Sequence, residues 1–293
     1  MRAFEFFSAK DSRDAVALLA KHSVTSKVKV IAGGTDLLAD LKFSAHSPNV
    51  VIDISRAEEL KSIVVTDDGL RIGALVTHSQ IMRSLVIQEM FPALVAAAHT
   101  IGAVQTRNLG TLGGNLVTAV PSMDSGPTLM ALEAIASIEG PEGRREVPLT
   151  DFFLGPRKTV LKADEILAEI IIPKRNLGKP THFLKFGLRK GQALALVNSA
   201  ASFWVDWDKH TFVAPRIGLG AVAPKVIRAT QAETFLEGRK ITPETMAEAG
   251  MIAANDAKPI TDFRASAGYR KNLVAVLTKR ALEGAYALAQ AKR

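Results

Sequence analysis

The run Val30-Ile31-Ala32-Gly33-Gly34-Thr35-Asp36-Leu37, answered about eighty residues later by Thr111-Leu112-Gly113-Gly114-Asn115, decides how this chain is read. Each joins adjacent glycines to a hydroxyl or amide side chain. Glycine lacks a Cβ, so its backbone N–H groups can close on a bulky anion, and successive N–H groups form a concave nest for one. Two such nests, brought together by folding, would wrap one dinucleotide pyrophosphate from both sides. The first also reads as a plain strand-to-helix turn, whereas the second is more polar and glycine-rich than a core turn. The first is not a P-loop, because no Lys-Ser/Thr follows its glycines, and Thr35-Asp36 breaks the G-x-G-x-x-G spacing. Asp36 repels a phosphate, so a helix cap or a hydrogen bond to a ligand hydroxyl suits it better.

Outward from the first run, Val28–Ala32 reads as a strand, followed by a helix capped by Thr35 or Asp36 and running through Leu41. Asp11 to Lys21 has helical spacing, and Val50–Ile54 is a second buried strand. These make a small α/β lobe. Ile63–Thr66 and Leu70–Ala74 flank Asp67-Asp68-Gly69 as a hairpin with an Asp-Gly turn. Thr77 caps a helix over Ser79–Leu85, Ala93 to Thr100 forms another that ends near Gly102, and a third covers Pro127 to Leu132. Ile135–Glu139 is a strand closed by Gly140-Pro141-Glu142-Gly143, and Ile166–Ile172 is a strand stopped by Pro173.

The segment Pro173–Pro180, with two prolines, a glycine and three basic residues, marks a boundary between domains at 1–176 and 177–293. The first divides into lobes of about 1–55 and 56–176. Beyond the boundary come strands Phe183–Leu188, Leu194–Val205 and Phe212–Ala221, then helices near Val226–Leu236, Pro243–Ala254 and Tyr269–Leu288. Strands followed by helices predict an α+β module.

The chain of 293 residues contains no cysteine, which excludes thiolate metal or iron–sulfur sites, a thiol nucleophile and disulfides. A disulfide-free chain suits a reducing cytoplasm. The first residues lack a leader's apolar core, and no stretch approaches the roughly 18 uncharged apolar residues of a membrane span. Cytoplasmic location is therefore expected. A net charge of +8 is dispersed, and aromatics are only 6% of residues, which argues against nucleic acid and leaves either a plain solvated basic surface or a basic face for an acidic protein partner. No G-x-S-x-G elbow occurs, and the six histidines (22, 46, 78, 99, 182, 210) show neither H-x-H nor H-E-x-x-H spacing. A chain that binds a dinucleotide without side-chain chemistry points to a cofactor that carries the reaction. Asp124, nine residues beyond Asn115, either accepts hydrogen bonds from sugar or ribitol hydroxyls or caps the helix that follows it. Arg107 either lends charge to the pyrophosphate or lies exposed.

Five ordered segments carry a family resemblance. Ala32-Gly33-Gly34-Thr35-Asp36-Leu37-Leu38 and Arg107-Asn108-Leu109-Gly110-Thr111-Leu112-Gly113-Gly114-Asn115-Leu116 resemble the two FAD-pyrophosphate loops of the molybdenum hydroxylase flavoprotein subunits, the medium subunits of carbon monoxide and xanthine dehydrogenases. Pro121-Ser122-Met123-Asp124-Ser125-Gly126-Pro127 follows. Then comes Phe152-Phe153-Leu154-Gly155-Pro156-Arg157-Lys158-Thr159 with Asp164-Glu165-Ile166-Leu167, and last Asp262-Phe263-Arg264-Ala265-Ser266-Ala267-Gly268-Tyr269-Arg270.

The resemblance implies a two-lobed FAD-binding domain of vanillyl-alcohol-oxidase type followed by a C-terminal α+β domain, a three-stranded sheet with helices. It implies that Val30 to Leu37 and Thr111 to Asn115 wrap FAD, that Asp124 meets its hydroxyls, that Ile101 and Leu167 pack near it, and that Lys185 lies at the flavin. It further implies electron transfer within a complex. A small [2Fe–2S] chain and a large molybdenum-cofactor chain would be the partners, with NAD or a quinone as acceptor. Where many relatives carry Asp-Ile-Ala, this chain has Gln192-Ala193-Leu194-Ala195-Leu196, a departure that bears on subfamily and substrate. A stand-alone FAD oxidase of the same fold is the other reading. It would need a substrate base that no His or Tyr motif here supplies.

Overall fold

The computed structural model describes residues 2–43 and 47–293, so Met1 and His46 lie outside the described residues. The N-terminal lobe is a parallel sheet of order β1-β3-β2, with β1 at Glu5–Ser8, β2 at Val28–Ile31 and β3 at Val50–Asp53. Helix α1 (Ser12–His22) starts where Asp11 accepts the Asp14 amide at 2.8 Å, and it buries Ala15, Val16 and Leu19 against Val50 and Ile52. Helix α2 (Leu37–Lys42) follows β2 directly. Asp36 occupies its cap position without making a capping bond, so the expected cap is absent. Strand β1 has no counterpart in the sequence reading. It has only four residues, three of them exposed, and is fixed by pairing to β3 far along the chain.

The second sheet has the antiparallel order β4-β5-β10-β6-β7. Its strands are Ile63–Thr66, Gly69–Gly73, β6 at Ile135–Gly140, β7 at Gly143–Pro148 and β10 at Ile166–Pro173. Between β7 and β10 lie α9 (Leu149–Phe152) and the ribbon β8 (Phe153–Gly155) with β9 (Lys158–Thr159). The β4–β5 turn is Asp67-Asp68, because Gly69 already pairs with Thr66. At Gly69 (φ +150°) a Cβ would lie 2.0 Å from the Ile172 carbonyl oxygen, so this glycine serves a close strand approach rather than the turn.

Six helices cover this sheet: α3 (His78–Arg83), α4 (Leu85–Met90), α5 (Pro92–His99), α6 (Val104–Leu109), α7 (Leu112–Thr118) and α8 (Ser125–Ala131). Their apolar faces and the sheet share one core that includes Leu70, Ile72, Leu116, Leu129, Ile138 and Ile170. Thr77 caps α3 with a full capping box, as its spacing to Gln80 permits.

The third sheet is antiparallel in the order β11-β12-β13-β14, from Thr181–Gly187, Ala195–Asp206, Thr211–Gly220 and Ile227–Arg228. It has four strands where the sequence predicts three. The apolar Val226-Ile227 start reads as helix, but Ile227 pairs with Leu219 on the open edge of β13, and α10 begins only at Thr230 (Thr230–Leu236). Helices α11 (Pro243–Asp256) and α12 (Ala267–Ala291) cover the sheet with a core of Val197, Phe203, Leu219, Met246, Val274 and Leu282. Arg216 of β13 reaches Glu133 ahead of β6 at 3.0 Å, joining the third sheet to the rest.

Candidate functional site

The first glycine run leaves β2 and enters α2 through Gly34, whose φ of +71° is a left-handed conformation that glycine adopts without penalty. At Gly33 a Cβ would lie 1.7 Å from the Leu109 carbonyl oxygen, so this residue lets the run touch the end of α6. The amides of Gly33, Gly34, Thr35 and Asp36 make no hydrogen bond among the described residues. They form an open row of donors.

The second run is built differently. It is the first turn of α7, and its amides are already used. Leu112 donates to the Val76 carbonyl and Gly113 to the Ala74 carbonyl, both at 2.9 Å. Gly114 donates to Thr111 Oγ1 at 2.9 Å, and Asn115 to the Thr111 carbonyl at 3.0 Å. A second amide nest, as the sequence predicts, is therefore not formed. What this side offers is side chains and space. Ser125 donates to Asn115 Oδ1 at 2.6 Å, and the Asn115 NH₂ has no partner among the described residues. Gly113 is required because a Cβ there would lie 2.5 Å from that of Ala74. A Cβ on Gly114 would meet only Thr111 Oγ1, at 2.9 Å, and otherwise point into open space.

Both runs line one cleft. Val30 to Leu37, Ile101, Thr111, Gly113, Gly114, Asn115 and Leu167 all contribute to its wall, whereas Leu112 is sealed in the core beneath. Asp124 and Lys185 are not part of the wall. They form a buried ion pair, Nζ to Oδ2 at 2.5 Å, each side chain 7% exposed. Lys185 also donates to the Thr100 carbonyl at 3.1 Å, which ties the pair to the end of the cleft at Ile101. Asn198 donates to Asp124 Oδ1 at 2.9 Å and to the Met123 carbonyl at 3.0 Å. Burial raises the Asp124 pKa above the ordinary carboxylate value, and the Lys185 ammonium pulls against that shift. Asp124 precedes α8 but makes no capping bond. Arg107 does not enter the cleft, and its guanidinium braces the wall by donating to the Ile101 carbonyl at 2.9 Å.

The structure adds wall residues that sequence reasoning missed, among them His78, Thr106, Gly110, Leu161 and Glu165. Gly110 precedes the second glycine pair, and a lone glycine there carries no signal of its own. His78 follows a cap threonine, and a lone histidine carries no signal by spacing. Burial raises the Asp36 pKa, with Arg157 opposing and Asp40 reinforcing. Free amides, the hydroxyls of Thr35 and Thr106, and apolar walls from Val30, Ile54, Leu161 and Leu167 fit an elongated ligand with an anionic middle and flat ends. FAD has that shape and charge, and the open space at Gly114 gives its phosphates room. Among the described residues no group of His, Asp and Glu is arranged to hold a metal, and no helix is long and apolar enough to cross a membrane.

Comparison with known proteins gives two family matches. Residues 2–175 match the FAD binding domain in molybdopterin dehydrogenase, and residues 182–285 match the CO dehydrogenase flavoprotein C-terminal domain. The nicotinate dehydrogenase FAD-subunit of Eubacterium barkeri is 34% identical, over 96% of this chain and 95% of its own length. The xanthine dehydrogenase FAD-binding subunit of Escherichia coli O157:H7 is 33% identical over 99% of both chains. Among solved structures, the carbon monoxide dehydrogenase of Hydrogenophaga pseudoflava that lacks the Mo-pyranopterin moiety superposes with a TM-score of 0.92. It is 34% identical and 98% of each chain is covered.

Proposed function

The chain belongs to the FAD-binding flavoprotein subunits of the molybdenum hydroxylases, and from that premise we propose that it carries electrons from iron–sulfur clusters on a partner chain to an external acceptor. Its cofactor is FAD. Bound FAD supplies a store that accepts and releases electrons singly or in pairs. The open amides of Gly33, Gly34, Thr35 and Asp36, facing Thr111 and Asn115 across one cleft, are the observation that carries this reading. They would receive the pyrophosphate, while Ile101 and Leu167 pack against the rings and exclude water. Asp124 and Lys185 hold the ring end of the cleft in shape, and each offsets the other's charge.

A chain without cysteine cannot ligate the [2Fe–2S] clusters, so these belong to a small partner. The molybdenum cofactor and the substrate belong to a large one. NAD or a quinone is the acceptor that suits such a subunit, and a reducing cytoplasm suits a chain with no disulfide to keep. Residues 1–176 would form the FAD domain and 177–293 the second domain. The relatives named above belong to nicotinate, xanthine and carbon monoxide dehydrogenases at nearly equal identity to this chain, so substrate choice is assigned to the large partner.

The FAD-loaded chain alone should not reduce a dye with any of these substrates. Supplying the small and large chains should restore substrate-dependent reduction. Turnover by the isolated chain would favour the stand-alone oxidase instead.

A further inference from the structure

No lysine or arginine lines the cleft, although the ligand assigned to it carries a pyrophosphate. The acidic side chains on its wall, Asp36 and Glu165, have the wrong sign. Glu165 is held by Arg145 through hydrogen bonds of 2.8 and 2.9 Å, and Arg157 lies near Asp36. Among the described residues, the one wall side chain that can become cationic is His78.

His78 opens α3 and is 2% exposed. A Cβ on Gly110 would lie 3.4 Å from His78 Cδ2 and 3.6 Å from Thr35 Oγ1. The imidazole therefore stands where the two glycine runs approach each other. Its ring nitrogens make no hydrogen bond among the described residues, and Nδ1 is sealed from solvent. A ligand in the cleft cannot reach the sealed Nδ1, so Nε2, also without a partner among the described residues, is the nitrogen it can complete. Burial first, and the Arg107 guanidinium second, hold the His78 pKa down at about 4, so the ring is neutral in the free protein at physiological pH.

Resting on the FAD reading, we propose that His78 is a further anchoring residue for the cofactor's pyrophosphate, donating from Nε2 to a phosphate oxygen between Thr35 and Gly110. The sealed Nδ1 leaves Nε2 as the nitrogen available to the cleft, and placing the proton there turns that face into a donor. An anion at this point favours the imidazolium, so binding should draw in a proton. The affinity then strengthens as pH falls toward about 4. Asp36 and Glu165 on the wall, and Arg107 outside it, are the same in parent and variants, so the difference between proteins isolates the imidazole.

The test uses the full chain stripped of FAD. FAD, ADP and riboflavin are titrated in turn, with calorimetry in two buffers of different ionisation heat to count protons. His78→Leu should weaken FAD and ADP roughly ten- to hundredfold, the span of one charge-assisted hydrogen bond, and leave riboflavin unchanged. His78→Gln, which keeps a donor but cannot charge, should bind between the two and lose the parent's extra proton uptake near pH 6. Thermal melting of the stripped proteins checks their folding, and if the Leu variant fails to fold, the proton count of the Gln variant decides. Unaltered FAD and ADP binding in the Leu variant, or equal loss of riboflavin, overturns the role of His78. A parent that takes up no FAD overturns the cofactor reading itself.

Discussion

The two glycine runs look alike in sequence and differ in what they leave free. After β2, the amides of Gly33 through Asp36 are unused, and the chain there is held by its contact with Leu109. At α7 every amide from Leu112 to Asn115 is already bonded within the protein. One run presents its backbone, whereas the other withdraws it and presents Thr111, Asn115 and the empty space beside Gly114. A glycine pair thus signals close approach in both places, but of different things. Gly33 and Gly113 admit neighbouring chain, Gly34 a left-handed turn, and Gly114 leaves open space in the cleft.

The largest effect expected from this contrast is at Gly33. A methyl there meets the Leu109 carbonyl backbone, which cannot swing aside, so Gly33→Ala should cost about 3 kcal/mol by overpacking and FAD retention with it. Denaturant titration of the stripped protein measures this, and a near-parental midpoint would mean that α6 can retreat. Gly114→Val comes next. It should abolish FAD retention while shifting the stability of the stripped protein by only about 1 kcal/mol or less, the scale of helix propensities. Purification with one FAD per chain would show that the second run does not border the phosphates. Thr111→Ala should have the smallest effect, about 1 kcal/mol for a lost cap. It also releases the Gly114 amide toward the cleft, so FAD affinity should fall far less than in Gly114→Val. Equal losses in the two variants would erase the distinction between a run that gives amides and one that gives space.

Most of the fold was legible because its strands are apolar runs closed by turns. The stretches at Val28, Ile63, Ile135, Ile166 and Phe183 are each bounded by glycine, proline or aspartate. What escaped depends on partners far away in sequence. Strand β1 exists through β3, and β14 through the edge of β13. Helix α7 escaped for a local reason. Adjacent glycines oppose a helix, and only the Thr111 cap together with the Ala74 and Val76 carbonyls tips the balance.

In the cleft, the glycine runs could be read from residue chemistry. Asp124 could be read as either a hydroxyl acceptor or a helix cap, whereas Ile101, Leu167 and Lys185 are named only by family resemblance, since no spacing marks them. His78 was invisible by either route, because its meaning lies in Gly110 and Thr35 beside it.

The carboxylate of Asp124 has one further consequence. It lies ahead of α8, yet Lys185 and Asn198, which complete it, come from β11 and β12 beyond the Pro180 junction. The two parts of the chain are therefore a matched inheritance. A recombinant joining the first part to the second part of a relative must bring both a lysine and an amide to these two positions, or it leaves a bare charge sealed inside the protein beside the Ile101 side of the cleft.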